Sequence, residues 1–117
     1  MIEAIEAITR NNEECRVLVA LSYGGRDEIV DAINKSIEGG TKKISKRSIE
    51  ENLYAPDVPF PDMIVRTGNE FRISNFLMWQ SAYSELHFVK KFWPDIEAQD
   101  ISEFRQEYES RDRKFGA

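Results

Sequence analysis

Arg66, Arg72 and Ser74 are the residues of this chain whose types and spacing have most to offer chemically. Arg66 closes a short apolar run, Met63-Ile64-Val65, that is bounded by Pro61 and a Thr67-Gly68-Asn69 turn. The run is too short for a helix and suits a buried strand. An arginine at a strand's carboxyl end stands where open α/β sheets bind ligands, and its planar fork matches phosphate oxygens. Arg72 and Ser74 follow, and then a periodic apolar stretch, Phe76, Leu77 and Trp79, predicts a helix over 75–82 capped by Ser74 or Asn75. Two guanidinium groups, a hydroxyl and free helix-terminal amides can converge on one anion. A diphosphate in particular needs several donors, because its charge is spread over many oxygens. Spacing by itself equally suits two surface charges and a helix cap.

These residues need elements to position them. Arg16 to Tyr23, RVLVALSY, is apolar and β-branched and reads as a buried strand, ended by Gly24-Gly25 before a helix from Asp27 to about Ile37. Backbone amides in such a glycine turn can approach an anion closely. Ser45 to Tyr54 reads as a helix capped by Ser45 with Ile49 and Leu53 on one face. Helical residues between two apolar strands imply parallel pairing, and Ser84 to Val89 would add a third strand. Residues 2–11 form an amphipathic pattern through Ile2, Ile5 and Ile8, and Asp100 to Arg113 another through Ile101, Phe104 and Tyr108. The expected fold class is α/β, a parallel sheet flanked by helices.

The 117 residues suffice for one domain with a modest core. A net charge of -5 gives no general attraction to nucleic acid. No apolar run approaches the length that spans a bilayer, and the acidic start MIEAIEAITR does not suit a secretory signal. The expected location is the cytosol, including peripheral contact with its membrane face. Cys15 is the single cysteine, expected to be a small buried apolar residue, and the single histidine, His87, is expected to be structural. The aromatic series from Phe76 to Trp93 is expected in the core or at a subunit contact rather than on a substrate.

Four segments together carry a more specific signal: Asp62 to Thr67, Glu70 to Gln80, Ala82 to Leu86 and Trp93-Pro94-Asp95. In order and spacing they closely resemble the signature of cis-prenyltransferases, the undecaprenyl diphosphate synthase family. The resemblance implies that Arg66, Arg72 and Ser74 bind the diphosphate of isopentenyl diphosphate and that Glu85 helps to hold Mg2+. Tyr23 to Ile29 is similar to a further motif of the family, which makes Gly24, Gly25 and Arg26 candidate substrate or subunit contacts, although Ser22 stands where the family usually has asparagine. The tail from Arg111 to Gly116 resembles the family's basic terminal segment, placing Arg113 and Gly116 among the same candidates. Basic residues also favour helix carboxyl ends for electrostatic reasons.

The resemblance covers nearly the whole chain yet corresponds to the C-terminal half of the usual enzyme. The family's aspartate-glycine-asparagine-glycine-arginine motif, implied to bind the allylic diphosphate and the metal, has no counterpart in residues 1 to 14. The chain is therefore expected to be a single domain over residues 1–117, truncated at its N-terminal side. Three readings follow: a half-enzyme that condenses isopentenyl diphosphate with an allylic prenyl diphosphate when joined to a separate N-terminal half; a noncatalytic accessory subunit of a heteromeric enzyme; or an inactive truncated relic. Each implies a homo-oligomer or a partner chain, because an exposed apolar face is a liability in a monomer.

Overall fold

The computed structural model describes residues 2–111. Its first helix, α1 (Ile2–Thr9), follows the isoleucine periodicity but buries none of it: Ile2, Ile5 and Ile8 are all exposed. Helix α2 (Gly25–Glu38) starts where the two glycines end an extended run, with Asp27 and Glu28 in its first turn and Lys35 in its last, each opposing the local end of the helix dipole. Helix α3 (Lys46–Glu50) is started by Ser45, as its sequence indicates. The Ser45 hydroxyl accepts from the Ser48 amide while Ser48 accepts from the Ser45 amide, a reciprocal cap. The helices α2 and α3 pack together and bury Ala32, Ile49 and Leu53, with Ile33, Ile44 and Trp79 half-buried around them.

Strands β1 (Met63–Arg66) and β2 (Glu85–Phe88) pair in parallel, with Met63 opposite Glu85 and Arg66 opposite Phe88. The link continues past β1, where the Gly68 amide donates to Lys91 and the Asn69 amide to Val89. A 3-10 turn at Trp93–Asp95 then leads to α4 (Ala98–Ser110), started by mutual hydrogen bonds between Glu97 and Asp100. Lys91 also reaches Asp100, at 2.7 and 2.8 Å, and the His87 ring lies 5.0 Å from that of Phe104, so α4 is fastened to β2. The result is a parallel sheet with helices, the α/β class that the pattern implies.

Three expectations are corrected. Residues 16–23 form no strand: Val17, Leu18, Val19 and Leu21 are 55–78% exposed, and among the described residues the sheet has two strands rather than three. A strand exists through its neighbours, and this run has no ladder partner here. Cys15, in the same region, is exposed rather than buried. Residues 75–82 form successive turns instead of a helix. The proposed tail contacts Arg113 and Gly116 lie outside the described residues.

Candidate functional site

Arg66 ends β1, and its guanidinium turns toward the loop that follows. It donates to the Arg72 carbonyl at 2.5 Å and to the Ser74 hydroxyl oxygen at 2.8 Å. A serine hydroxyl that accepts from arginine keeps its own hydrogen to donate, so Arg66 both supplies charge and orients a second donor. The Arg72 side chain points into a mostly solvated environment and pairs with Glu70 at 2.6 Å. The structure thus joins Arg66, Ser74 and the backbone of Arg72, while the Arg72 guanidinium is held one step away by an acid.

The turn that presents Ser74 is left-handed at several non-glycine positions: φ is 48° at Ser74, 65° at Asn75 and 46° at Leu77. Such backbone persists only where its surroundings over-determine it. Here the determinant is α2. The Asn75 carbonyl accepts from the Gly25 amide at 2.7 Å and its side-chain oxygen from the Arg26 amide at 2.9 Å. Asn75 therefore caps α2, 49 residues away from Arg26, rather than starting a helix of its own. A Cβ on Gly25 would come within 2.9 Å of the Met78 amide nitrogen and 3.0 Å of the Asn75 carbonyl, so only glycine permits this approach. Of the candidates at the glycine turn, Gly25 and Arg26 thus commit their amides to Asn75, and their role here is to hold the Ser74 turn.

Beneath the turn lies Glu28, the largest fully buried side chain among the described residues, at 2% exposure. Its carboxylate accepts from the Tyr54 amide at 2.9 Å, from the Gln80 side-chain amide at 2.9 Å and from the Tyr23 hydroxyl. Burial first, and then the bond to Glu28, push the Tyr23 phenol well up from its usual range, so it donates at neutral pH. Sequence reading missed Glu28, Asn75 and Gln80. An acid in the first turn of a helix reads as a dipole partner, and nothing local signals that two of its three donors, Tyr54 and Gln80, come from distant segments.

Between β1, β2 and the loop is a cleft of about 290 Å3. Ile64, Ile73, Phe76, Leu86 and Phe88 line it, with Arg66 as its cation. A mostly apolar hollow with an arginine on its wall suits a ligand with a hydrocarbon part and an anionic part.

Glu85 is placed elsewhere. It starts β2 opposite Met63, three register positions from the partner of Arg66, about 10 Å along the strands. Its carboxylate lies 3.2 Å from Arg111, which also binds Glu107, and Glu107 meets the His87 ring at 3.1 Å. The bond from Arg111 holds the Glu107 carboxyl below its usual range. His87 therefore has the structural role expected of it, fastening β2 to α4. No group of three or more metal-ligating side chains occurs among the described residues. Magnesium is commonly held by one or two carboxylates together with phosphate oxygens, so Glu85 fits one edge of such a site and the described residues do not complete it.

Comparison with known proteins places the chain in a family. Residues 1–116 match the family model described as "Putative undecaprenyl diphosphate synthase". The chain is 48% identical over 113 residues to an isoprenyl transferase of Rickettsia typhi and 43% identical over 118 residues to one of Thermotoga maritima. In each case 97% of this chain is covered, against 50% and 51% of the relative. Among solved structures, one described as "a probable undecaprenyl diphosphate synthase" from Campylobacter jejuni superposes with a TM-score of 0.84 at 33% identity, and lavandulyl diphosphate synthase from Lavandula x intermedia, in complex with dimethylallyl diphosphate, with 0.89 at 31%. Both cover 99% of this chain and about half of their own, 54% and 52%. The chain spans about half the length of the relatives it matches.

Proposed function

The chain belongs to the undecaprenyl diphosphate synthase family of cis-prenyltransferases, and from that premise we propose that it supplies the isopentenyl diphosphate half-site for condensation with an allylic diphosphate. The observation that carries this reading is the Arg66 guanidinium bonded to the Ser74 hydroxyl beside an apolar cleft. Arg66 and Ser74 donate to the diphosphate oxygens. Arg72 joins them by exchanging Glu70 for the ligand, which strengthens its pairing because a diphosphate carries more charge than one carboxylate. The isopentenyl group lies against Ile64, Phe76 and Leu86. With the diphosphate fixed, the double bond is held toward the electrophilic carbon of the allylic partner, so that a carbon–carbon bond replaces the bond to the departing diphosphate and a proton leaves the isopentenyl unit as its new double bond forms. Glu85 would be one carboxylate ligand of a magnesium ion, which would supply neutralisation of that leaving group.

The allylic site belongs, in this reading, to the half of the family's length that these residues do not span. The expected consequence is that the chain by itself makes no long product from magnesium, an allylic diphosphate and labelled isopentenyl diphosphate. Adding the complementary half of a relative such as the Thermotoga maritima isoprenyl transferase should restore label incorporation. Robust elongation by the chain by itself would contradict the division of labour. Failure of the mixture, with both parts folded and associated, would contradict the half-site.

A further inference from the structure

We propose that Glu28 is a positioning residue for the diphosphate site, holding the turn that presents Ser74 in its left-handed backbone by binding Gln80. The proposal rests on the diphosphate reading of Arg66 and Ser74 and deepens it.

A carboxylate at 2% exposure is costly to keep charged, and the donors around Glu28 are a phenol, a side-chain amide and a backbone amide rather than a cation. An apolar side chain would fill the same space without that cost, so the core by itself does not call for an acid here. What an acid does provide is three directed acceptor contacts from one rigid point on α2. Of these, Gln80 matters most to the site. Residues 74–80 are held at both ends: Asn75 accepts from the Gly25 and Arg26 amides, and Gln80 donates to Glu28. Left-handed Asn75 is itself one hold, left-handed Ser74 adjoins it, and left-handed Leu77 lies between the two holds. The other end of the Gln80 amide, Oε1, is buried and has no partner among the described residues. Its orientation is therefore set by its amide nitrogen, which donates to Glu28 at 2.9 Å beside the Tyr23 hydroxyl. Freed at this end, the turn can relax to ordinary backbone angles, and Ser74 leaves its 2.8 Å contact with Arg66.

Calorimetric titration of the full chain with inorganic pyrophosphate reads the site, and hydrogen exchange at the Phe76 and Ser81 amides, which donate to Ile73 and Leu77, reads the turn. Glu28→Gln sets two amide donors facing each other, and Gln80→Met keeps the size while removing the bond. Each should weaken pyrophosphate binding about tenfold, the scale of one misplaced charge-assisted contact. Each should also speed exchange at both amides while leaving β1 unchanged. The exchanged pair Glu28→Gln with Gln80→Glu rebuilds donor and acceptor in reverse and should restore affinity and protection, which a general loss of packing would not allow. Should Glu28→Gln not fold, Gln80→Met and the exchanged pair decide. Parent-like affinity and protection in the single variants would overturn the proposal, as would an exchanged pair that restores neither. A parent chain that binds no pyrophosphate overturns the half-site reading itself and this role with it. A parent that binds, loses binding on Arg66→Ala and keeps it on both single variants overturns the positioning role and leaves the half-site standing.

Discussion

Leu53 sits in a largely polar stretch, Ser45 to Tyr54, and Leu18 in the apolar run Arg16 to Tyr23, yet Leu53 is 5% exposed and Leu18 55%. The region around Leu53 finds its partners within the chain: α2 meets α3, and Glu28 and Asn75 draw in residues 74–80. The region around Leu18, with α1 before it, carries a stronger apolar pattern and buries none of it among the described residues. Pattern states what a segment can bury, and the presence of an opposing layer decides whether it does. Arg66, Arg72 and Ser74, which are proposed to bind the diphosphate, all belong to the partnered region.

The sharpest way to break this comparison is to truncate both leucines. Leu53→Ala removes buried methyl groups and should cost about 2–5 kcal/mol in urea unfolding, whereas Leu18→Ala should stay within about 0.5 kcal/mol. Similar losses at the two sites would show that the amino-terminal run is packed after all. A smaller effect distinguishes the region where α4 meets β2. The bond from Lys91 holds the Asp100 carboxyl below its usual range, and the same bond holds the Lys91 ammonium above its own. An acid with a lowered folded value contributes stability above its unfolded value of about 4, and that contribution is lost as pH falls through the folded value. The lysine contributes below its unfolded value of about 10.4, and its share is lost as pH rises through the folded value. Asp100→Asn should therefore flatten the acid limb of a stability-against-pH curve below about pH 4, and an unchanged limb would count against the pair. The smallest effect on folding but the plainest on association concerns Val17 and Val19, 78% and 74% exposed. Sedimentation of the parent should show concentration-dependent association, which Val17→Ser with Val19→Ser reduces. A compact monomer across the whole series would contradict the inferred need for a covering partner.

The same contrast explains what could be read in the sequence. Helices close their hydrogen bonds locally, so α2, α3 with its Ser45 cap, and α4 were legible within a few residues; the parallel pairing was expected too, although the helix expected between β1 and β2 is a series of turns. Strand formation at 16–23 depends on neighbours that no local pattern reports, and the apolar run was over-read for that reason. The periodicity over 75–82 suggested a helix, but its backbone is set by Asn75 binding the start of α2 and by Gln80 binding Glu28, contacts spanning 49 and 52 positions. Arg66, Arg72 and Ser74 were legible as a group because they are close in sequence. Glu28, which organises the turn beneath them, was not.

The central claim is that the partnered region keeps a working diphosphate site, and calorimetric titration with isopentenyl diphosphate tests it most directly. Binding to the parent should weaken by about 1.5–3 kcal/mol, roughly ten- to a hundredfold, in Arg66→Ala. Leu18→Ala, in the unpartnered region, should bind as the parent does. With magnesium present the parent should bind more tightly, and Glu85→Gln should remove that gain while leaving metal-free binding unchanged. Equal affinity of the parent and Arg66→Ala would contradict the account, because Arg66 would then be a surface charge that bonds Ser74 and nothing more.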